Sequence, residues 1–188
     1  MTPLPTSPSP WIERWAHLIA PGGSVLDVAA GGGRHTAWLA ARGHVVTAVD
    51  RDSAATAALH GIAQVVVADI EAGPWPLAGR RFDAVVVTNY LWRPLLPTLT
   101  AALAEGGVLL YETFAAGNET VGRPARPDFL LAAGELLAVG AGLRIVAYED
   151  GFLVNPDRFV QRLAAVREPA GAVARRYPLT PGGPGPGR

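Results

Sequence analysis

Two amino acids with distinctive chemistry are missing from this chain: cysteine and lysine. The 188 residues contain no Cys, and every one of the 16 residues counted together as Lys and Arg is Arg. Without Cys the protein has no disulfide, no thiolate nucleophile and no Cys-ligated zinc. Without Lys it forms no Schiff base and cannot complete the Gly-Lys-Ser/Thr core of a Walker A loop. These absences exclude enzymes that depend on a cysteine nucleophile, on Cys-ligated zinc, on a lysine Schiff base or on a Walker A loop.

The chain also lacks an excess of charge, a long apolar run and a secretory leader. Its 16 basic residues balance 16 acidic ones, so the strong positive charge of a nucleic-acid-binding protein is absent. No uncharged stretch is long enough to span a bilayer, and residues 1–10 have neither the basic nor the apolar region of a signal peptide. We therefore predict a cytoplasmic protein with no membrane partner, and we disfavour a nucleic acid partner.

What the chain does have is enough apolar material for one globular domain. Hydrophobic residues make up 49% of the sequence, and the length suits a single core. The composition predicts a flexible N-terminal segment over residues 1–10, one domain over residues 11–168, and a flexible Pro/Gly-rich tail over residues 169–188.

Within the domain, short β-branched runs alternate with Ala/Leu-rich stretches. This alternation predicts an α/β fold, namely a doubly wound, mostly parallel sheet of seven strands with helices on both faces and an antiparallel last strand. The predicted strands cover residues 24–29, 45–50, 65–68, 82–88, 107–114, 143–149 and 158–167. The first helix is predicted to begin at Ser9 as N-cap with Pro10 in its first turn. The later helices are predicted over residues 34–42, 53–60, 94–104 and 128–139.

A turn of small residues joins the first predicted strand to the following helix, within residues 25–35. Such a turn lets a ligand approach the backbone and meet the N-terminus of the helix. It is not the dinucleotide fingerprint G-x-G-x-x-G, because Thr36 stands where the last Gly would be when the count starts at Gly31. It contains no Ser between two Gly, which a nucleophile elbow requires. What remains is an acidic residue followed by small residues at alternate positions: Asp27, Ala29, Gly31 and Gly33.

These residues resemble the first motif, D/E-x-G-x-G-x-G, of the class I S-adenosylmethionine-dependent methyltransferases, with Ala29 in place of the first Gly. Further segments follow the order of that family's motifs, and the resemblance covers residues 11–168. Asp50 ends the second predicted strand, where the family binds the two ribose hydroxyls with an acidic side chain. Asp69 and its apolar neighbour Ile70 follow the third strand, where the family binds adenine.

The resemblance implies a Rossmann-like methyltransferase fold with S-adenosyl-L-methionine as cofactor. The cofactor-binding residues that it implies are Asp27, Ala29, Gly31, Gly33, Asp50, Arg51, Asp69, Ile70 and Asn89. Several of these residues have ordinary alternatives, because Asp27 could cap the following helix and Asp69 could be a turn residue.

The amino-acid sequences of other segments are similar to those of the small bacterial tellurite-resistance-type methyltransferases. These segments are Gly33-Arg34-His35, Arg42-Gly43-His44, and residues 46–50, 127–131 and 134–137. The finer resemblance implies a small or oxyanionic acceptor rather than a macromolecule. The four His residues show no metal-ligand spacing, so we expect no metal.

Two side chains are candidates for the chemistry of methyl transfer. His35 falls in the first turn of a helix, where the helix dipole favours its neutral form. It is either a general base or a histidine with no catalytic role. Tyr90 follows the fourth predicted strand, and it either faces the transferred methyl group or covers the end of the sheet.

Three arginines are candidates for binding the acceptor. Arg93 either binds an anionic acceptor or marks a solvated helix start. Arg123 and Arg126 lie within residues 115–127, a segment that we predict to be a lid over the carboxyl ends of the strands. The alternative is that both are solvated loop arginines. Glu112, in the fifth strand, would need a partner if it is buried.

The sequence thus predicts a single-domain methyltransferase for a small-molecule or oxyanion acceptor. Its predicted cofactor residues follow strand ends, which is where ligands bind in open α/β sheets. One alternative is an rRNA or protein methyltransferase, disfavoured by the balanced charge and by residues 88–91, which lack the Asn/Asp-Pro-Pro-Tyr/Phe motif. Another is a non-catalytic cofactor-binding module on the same fold. The failed dinucleotide fingerprint opposes an NAD-linked oxidoreductase. The acceptor atom and the oligomeric state stay open.

Overall fold

A seven-stranded sheet forms the centre of the structure, a computed structural model that describes residues 7–171 and 175–181. The strands are β1 (Ser24–Val28), β2 (Val45–Asp50), β3 (Gln64–Val67), β4 (Phe82–Thr88), β5 (Leu103–Phe114), β6 (Arg144–Leu153) and β7 (Arg158–Val166). Their order is β3-β2-β1-β4-β5-β7-β6. Strands β1 to β5 pair in parallel, whereas β7 is antiparallel to both β5 and β6. This topology confirms the predicted fold class.

Short helices cover both faces of the sheet. They are α1 (Pro10–Trp15), α2 (Arg34–Ala40), α3 (Ser53–Thr56), α4 (Leu96–Ala101) and α5 (Glu135–Val139). Trp11 and Leu39 bring α1 and α2 into the core on one face. Leu99 and Leu136 bring α4 and α5 into the core on the other. Within the described residues, no helix has the length and apolarity needed to cross a membrane.

Strand β4 shows why the sequence pattern was informative. Residues 84–87 of this central strand are fully buried, since helices cover the sheet on both sides. A strand buried on both faces reads as a continuous apolar run, and its observed bounds equal the predicted ones. The start of α1 was also predicted correctly, because the Ser9 hydroxyl accepts a hydrogen bond from the Trp11 N–H and Pro10 occupies the first helical turn.

The helix predicted over residues 128–139 is wrong in its first half. Only a 3₁₀ turn over Pro127–Phe129 and the short α5 form there. Between them, Leu131 forms an isolated bridge with Ala115, just after β5: its N–H donates to the Phe114 carbonyl, and its own carbonyl accepts from the Ala116 N–H. The apolar pair at 130 and 131 therefore owes its burial to pairing beside β5, which a helical periodicity does not distinguish.

The helix predicted over residues 94–104 is also shorter than expected. It consists of a 3₁₀ turn over Arg93–Leu95 followed by α4, and β5 already begins at Leu103. The pairing of β4 with β5 shifts register between Phe82 and Ala84. Gly107 fits at this irregularity because a Cβ there would lie 2.9 Å from the Phe82 carbonyl oxygen. Glycine marks a strand bulge here rather than the boundary between helix and strand.

Both predicted flexible ends need correction where the structure describes them. Ser9 is buried and belongs to the domain, while residues 1–6 lie outside the described part of the chain. In the tail, the Tyr177 hydroxyl donates to a Glu168 carboxylate oxygen at 3.1 Å, and its ring packs against the core beneath α1. The Pro178 carbonyl lies 2.9 Å from His17 Nε2. Residues 172–174 and 182–188 lie outside the description.

Truncation after Glu168 is expected to lower the free energy of unfolding by about 1–2 kcal/mol, because it removes the packing and hydrogen bond of Tyr177. Cofactor affinity should not change, because the tail contacts the core behind α1. Urea unfolding of the truncated and full-length proteins measures the difference, with truncation after Pro181 as the control. Equal stability of all three proteins would contradict the observed docking of Tyr177.

Candidate active site

A cavity of about 160 Å³ lies at the carboxyl edge of the sheet, where β1 to β4 end. Its lining consists of Ala29, Asp50, Arg51, Ala68, Asp69, Ile70, Glu71 and Tyr90. Five of the nine residues predicted to bind the cofactor therefore meet here, together with Tyr90. Asp27, Gly31, Gly33 and Asn89 lie outside this lining.

The turn after β1 has the backbone of a glycine loop even where it lacks glycine. Ala29, Gly31 and Gly33 all adopt left-handed conformations, with φ of 52°, 53° and 75°. Glycine does so at no steric cost, whereas a residue with a Cβ loses roughly 1–2 kcal/mol. Hydrogen bonds hold the turn: the Ala30 N–H donates to the Val49 carbonyl, and the Gly33 N–H donates to Ala30. Ala29 thus adopts the same left-handed conformation as the two glycines of the turn although it has a Cβ.

Asp50 connects this turn to the end of β2. One carboxylate oxygen accepts a hydrogen bond from the Gly31 N–H at 2.8 Å, and the other accepts from the Asp52 N–H at 2.9 Å. The carboxylate also lines the cavity. Because each carboxylate oxygen has a second lone pair, Asp50 can accept further hydrogen bonds from two neighbouring hydroxyl groups.

Asp69 lies at the opposite wall of the cavity, after β3. One of its oxygens accepts hydrogen bonds from the Glu71 and Ala72 N–H groups at 2.9 and 3.0 Å. These two bonds hold the pKa of the carboxyl below its usual value. The turn role that the sequence left open is therefore real, and the second oxygen still has no protein partner among the described residues.

Asp27 is placed differently from the other predicted cofactor residues. Its side chain is buried below the glycine turn, and one oxygen accepts a hydrogen bond from the Thr36 hydroxyl at 2.6 Å. Burial raises the pKa of this carboxyl to about 6, although the bond from Thr36 opposes the shift. Asp27 therefore joins β1 to the first turn of α2 and does not line the cavity.

His35 does not have the geometry of a general base. The side chain is only 2% exposed. Its Nε2 lies 3.0 Å from the Ser9 backbone N–H, which can only donate, so this nitrogen is already occupied as an acceptor. Burial, with a contribution from Arg34, lowers the pKa of His35 to about 3. The sequence proposal that His35 accepts a substrate proton is therefore replaced by a structural connection.

Tyr90 and Asn89 form the wall after β4. The Tyr90 ring lines the cavity, and its buried hydroxyl makes no hydrogen bond within the described residues. Burial and the neighbouring charge of Glu71 raise the pKa of Tyr90, so this phenol stays protonated and can donate but not act as a base. Asn89 adopts φ of 54°, which Asn tolerates better than most residues. Its N–H donates to the Glu112 carbonyl.

Arg93 has protein partners for its guanidinium. Its guanidinium forms a two-point ion pair with Glu135, at 2.7 and 2.9 Å. It also donates to the carbonyls of Asp128 and Leu130. With these four bonds, Arg93 ties the end of β4 to the chain that precedes α5. A distant carboxylate and two carbonyls thus engage its donors, and the role of Arg93 as an acceptor ligand stays a prediction, since its side chain also lines a cavity of about 380 Å³ under residues 115–127.

Arg123 and Arg126 are exposed in the loop after β5. Arg126 pairs with Asp128 at 2.8 Å, but the two side chains are 73% and 70% exposed. Water screens such a pair, so its contribution to stability is small. Both guanidinium groups therefore remain available to a ligand at little cost.

The predicted lid segment, residues 115–127, is anchored at its base. Asn118 is buried, and its side chain donates to the Pro124 carbonyl and accepts from the Phe159 N–H. Ala115 forms an isolated bridge with Leu131. The cavity of about 380 Å³ lies under this segment, and its wall consists of Arg93, Ala116, Glu119, Ala125, Pro127, Leu130 and Ala132.

A buried polar network near the site was not predicted. Glu112 is fully buried, and its carboxylate accepts hydrogen bonds from the Ser9 hydroxyl at 3.0 Å and from Arg162 Nε at 2.6 Å. Arg158 lies 3.8 Å from the same carboxylate. The available signal was a charged residue inside each of two apolar strands, since Glu112 and Arg162 are paired across β5 and β7. No group of three or more His, Asp or Glu residues in the described ranges could hold a metal ion.

Comparisons with known proteins agree with this geometry. Residues 25–107 match a family described as "Methyltransferase domain". No curated protein sequence matches the chain. Many solved structures share its fold, and three of them illustrate the similarity. TehB from Haemophilus influenzae has a TM-score of 0.67 at 21% identity, with 81% of this chain and 60% of that chain covered. The chain thus spans less than two thirds of TehB.

The second is a TehB-like SAM-dependent methyltransferase from Corynebacterium glutamicum, with a TM-score of 0.57 at 22% identity and coverage of 81% of this chain and 86% of that chain. The third is the glycopeptide N-methyltransferase MtfA in complex with S-adenosyl-L-homocysteine, with a TM-score of 0.57 at 20% identity and coverage of 81% and 86%. The match over residues 25–107 includes the glycine turn, Asp50 and Asp69. Residues 25–107 are therefore similar to a methyltransferase domain, and the chain shares the fold of these solved structures, with a cavity at the carboxyl edge of its sheet.

Proposed function

We propose that the protein transfers the methyl group of S-adenosylmethionine to a small molecule or an oxyanion. The observation that carries this proposal is the cavity of about 380 Å³ under residues 115–127. Its volume falls within the range of about 300–1,000 Å³ typical of small-molecule sites. The zero net charge of the chain favours such an acceptor over RNA. MtfA, by its name, methylates glycopeptides, so the fold alone does not choose the acceptor.

The cofactor is proposed to lie along the carboxyl edge, with its adenosine in the smaller cavity. Asp50 would accept hydrogen bonds from the two ribose hydroxyls, since it lines the cavity and each of its oxygens keeps a second lone pair. The free oxygen of Asp69 and the side chain of Ile70 would contact adenine, with Arg51 at the rim. The methionine half would lie between the turn Ala29–Gly33 and Asn89.

Methyl transfer requires little from the protein except that it positions the cofactor and the acceptor. The sulfonium charge of the cofactor activates its methyl group, which passes to a lone pair of the acceptor while the sulfur–carbon bond breaks. The chain must align the two partners and exclude water. Tyr90, with its protonated hydroxyl at the cavity wall, can donate a hydrogen bond but cannot remove a proton. An acceptor that is already an anion needs no base.

The test is an acceptor screen that follows release of S-adenosylhomocysteine, preceded by calorimetry with both forms of the cofactor. Small anionic and neutral acceptors are compared with RNA and protein substrates. Turnover of a small acceptor supports the proposal, and methylation of RNA or protein alone contradicts it. Cofactor binding without turnover of any class would favour the non-catalytic module.

Replacing Arg123 and Arg126 together with Gln is expected to raise the acceptor KM by about 3- to 10-fold, because two exposed charge contacts contribute little each. Cofactor affinity and kcat should be unchanged, since contacts shared by the ground and transition states affect KM. Arg81→Gln is the matched control, because Arg81 is exposed at the other edge of the sheet, where β4 begins. An unaltered KM in the double variant would show that these arginines are ordinary solvated loop residues.

A further inference from the structure

His35 joins three separate parts of the chain at the edge where the cofactor is proposed to bind. It lies in the first turn of α2, directly after the glycine turn. Its Nε2 accepts from the Ser9 N–H, so its proton must be on Nδ1. That nitrogen is 3.3 Å from the Thr88 hydroxyl, at the last residue of β4. One imidazole ring thus fixes the distance from the glycine turn to the end of β4 and to the start of α1.

These contacts close into a ring of four residues. Ser9 continues from His35 to Glu112 through its hydroxyl. Glu112 is paired with Thr88 across β4 and β5, and its carbonyl accepts the N–H of Asn89. The ring therefore encloses the backbone immediately before Asn89, the residue held at φ of 54°. A frame closed in this way resists changes in the separation of its members.

We propose that His35 is a positioning residue for the amino-acid half of S-adenosylmethionine. This inference rests on the proposed placement of the cofactor, in which that half lies between the glycine turn and Asn89. His35 acts without touching the cofactor: it sets the spacing between the two walls. In that placement the adenosine half lies at Asp50 and Asp69, at the ends of β2 and β3, on the other side of β1 from this ring.

Burial keeps the His35 imidazole in the neutral form that this role requires. Because His35 stays neutral at neutral pH, Nε2 remains an acceptor and Nδ1 remains a donor. A positively charged imidazole would present two donors and could not accept from the Ser9 N–H. The neutral form is thus part of the positioning role and leaves no free nitrogen for catalysis.

The test removes the two hydrogen bonds of the imidazole one at a time, by replacing His35 with amide side chains of different length. In His35→Asn the amide reaches the Nδ1 position and can keep the Thr88 contact. In His35→Gln the amide oxygen reaches the Nε2 position and can keep the Ser9 contact. Each variant should lower the affinity for S-adenosylhomocysteine about 5- to 10-fold, the effect of one lost hydrogen bond. Affinity for adenosine, measured by the same calorimetry, should change less than about 2-fold, because its subsites do not involve the ring.

Thr88→Val gives a second route that leaves the imidazole in place. It should reproduce the effect of His35→Gln and add nothing when the two are combined, because both remove the same contact. His60→Gln is the control, since His60 is exposed after α3. Equal losses for S-adenosylhomocysteine and adenosine, or no loss for either, would overturn the proposal, because a purely structural histidine cannot change their ratio. No acceptor is needed, so failure here is distinct from failure to find a substrate. Retained cofactor affinity in Asp50→Ala would instead refute the cofactor placement.

Discussion

Gly33→Ala is expected to lower the free energy of unfolding by about 2–5 kcal/mol, the largest effect of any single methyl group added to the site. Gly33 has φ of 75°, in the left-handed region. A Cβ at this position would overlap the side chain of Leu59, which is fully buried. Backbone strain and overpacking therefore add. Urea unfolding followed by circular dichroism measures the loss.

Gly31→Ala is the matched control for this variant. Gly31 has a similar φ of 53°, but a Cβ there would meet no atom within 4 Å. It should cost only the backbone strain, roughly 1–2 kcal/mol. In the proposed placement of the cofactor, its methyl group would approach the methionine half, so S-adenosylhomocysteine affinity should fall while most stability remains. Equal stability losses in the two variants would show that contact with Leu59 is not what requires glycine at 33.

Asp50→Ala is expected to weaken S-adenosylmethionine binding by about 1.5–3 kcal/mol, or about 10- to 150-fold, because charge-assisted bonds to the ribose hydroxyls are lost. The variant should fold. The N–H groups of Gly31 and Asp52, which donate hydrogen bonds to Asp50, lie near the surface, where water can replace the carboxylate as their acceptor. Isothermal calorimetry gives the affinity, and thermal unfolding reports stability.

The control for Asp50 is its neighbour Asp52. This carboxylate caps α3 by accepting from the Ala54 and Ala55 N–H groups, and it does not line the cavity. Asp52→Ala should therefore cost about 0.5–2 kcal/mol of stability as a lost helix cap but leave cofactor affinity unchanged. Binding of the cofactor as tightly by Asp50→Ala as by the unsubstituted protein would reject the ribose assignment.

The location of a predicted site residue was correct where that location follows from the end of a strand. Asp50 and Asp69 each end or follow a parallel strand, and parallel strands bring their carboxyl ends to one edge. The cavity at that edge contains both residues. Asp27 has the same kind of position, yet its side chain points below the turn to Thr36. Strand position fixed the edge but not the direction of each side chain.

The sequence did not predict the contacts that two candidate residues make with distant partners. Arg93 and His35 were candidates for ligand binding and catalysis because each has the right chemistry near a strand end. Glu135 lies 42 residues from Arg93, and Ser9 lies 26 residues from His35. Nothing in the local sequence shows that these partners occupy the guanidinium and the imidazole.

The sequence by itself determined the succession of strands and helices along the chain, the burial of β4 and the glycine turn after β1. It also determined the edge of the sheet at which the predicted cofactor residues lie. Each of these follows from local periodicity or from residues a few positions apart. Only the tertiary structure decided that His35 and Glu112 belong to one buried ring, since Ser9, which joins them, lies 26 residues from His35 and 103 residues from Glu112. It also decided that Tyr177 docks on the core. Burial is set by what packs on a residue from elsewhere in the chain, and burial here converts reactive side chains into structural ones.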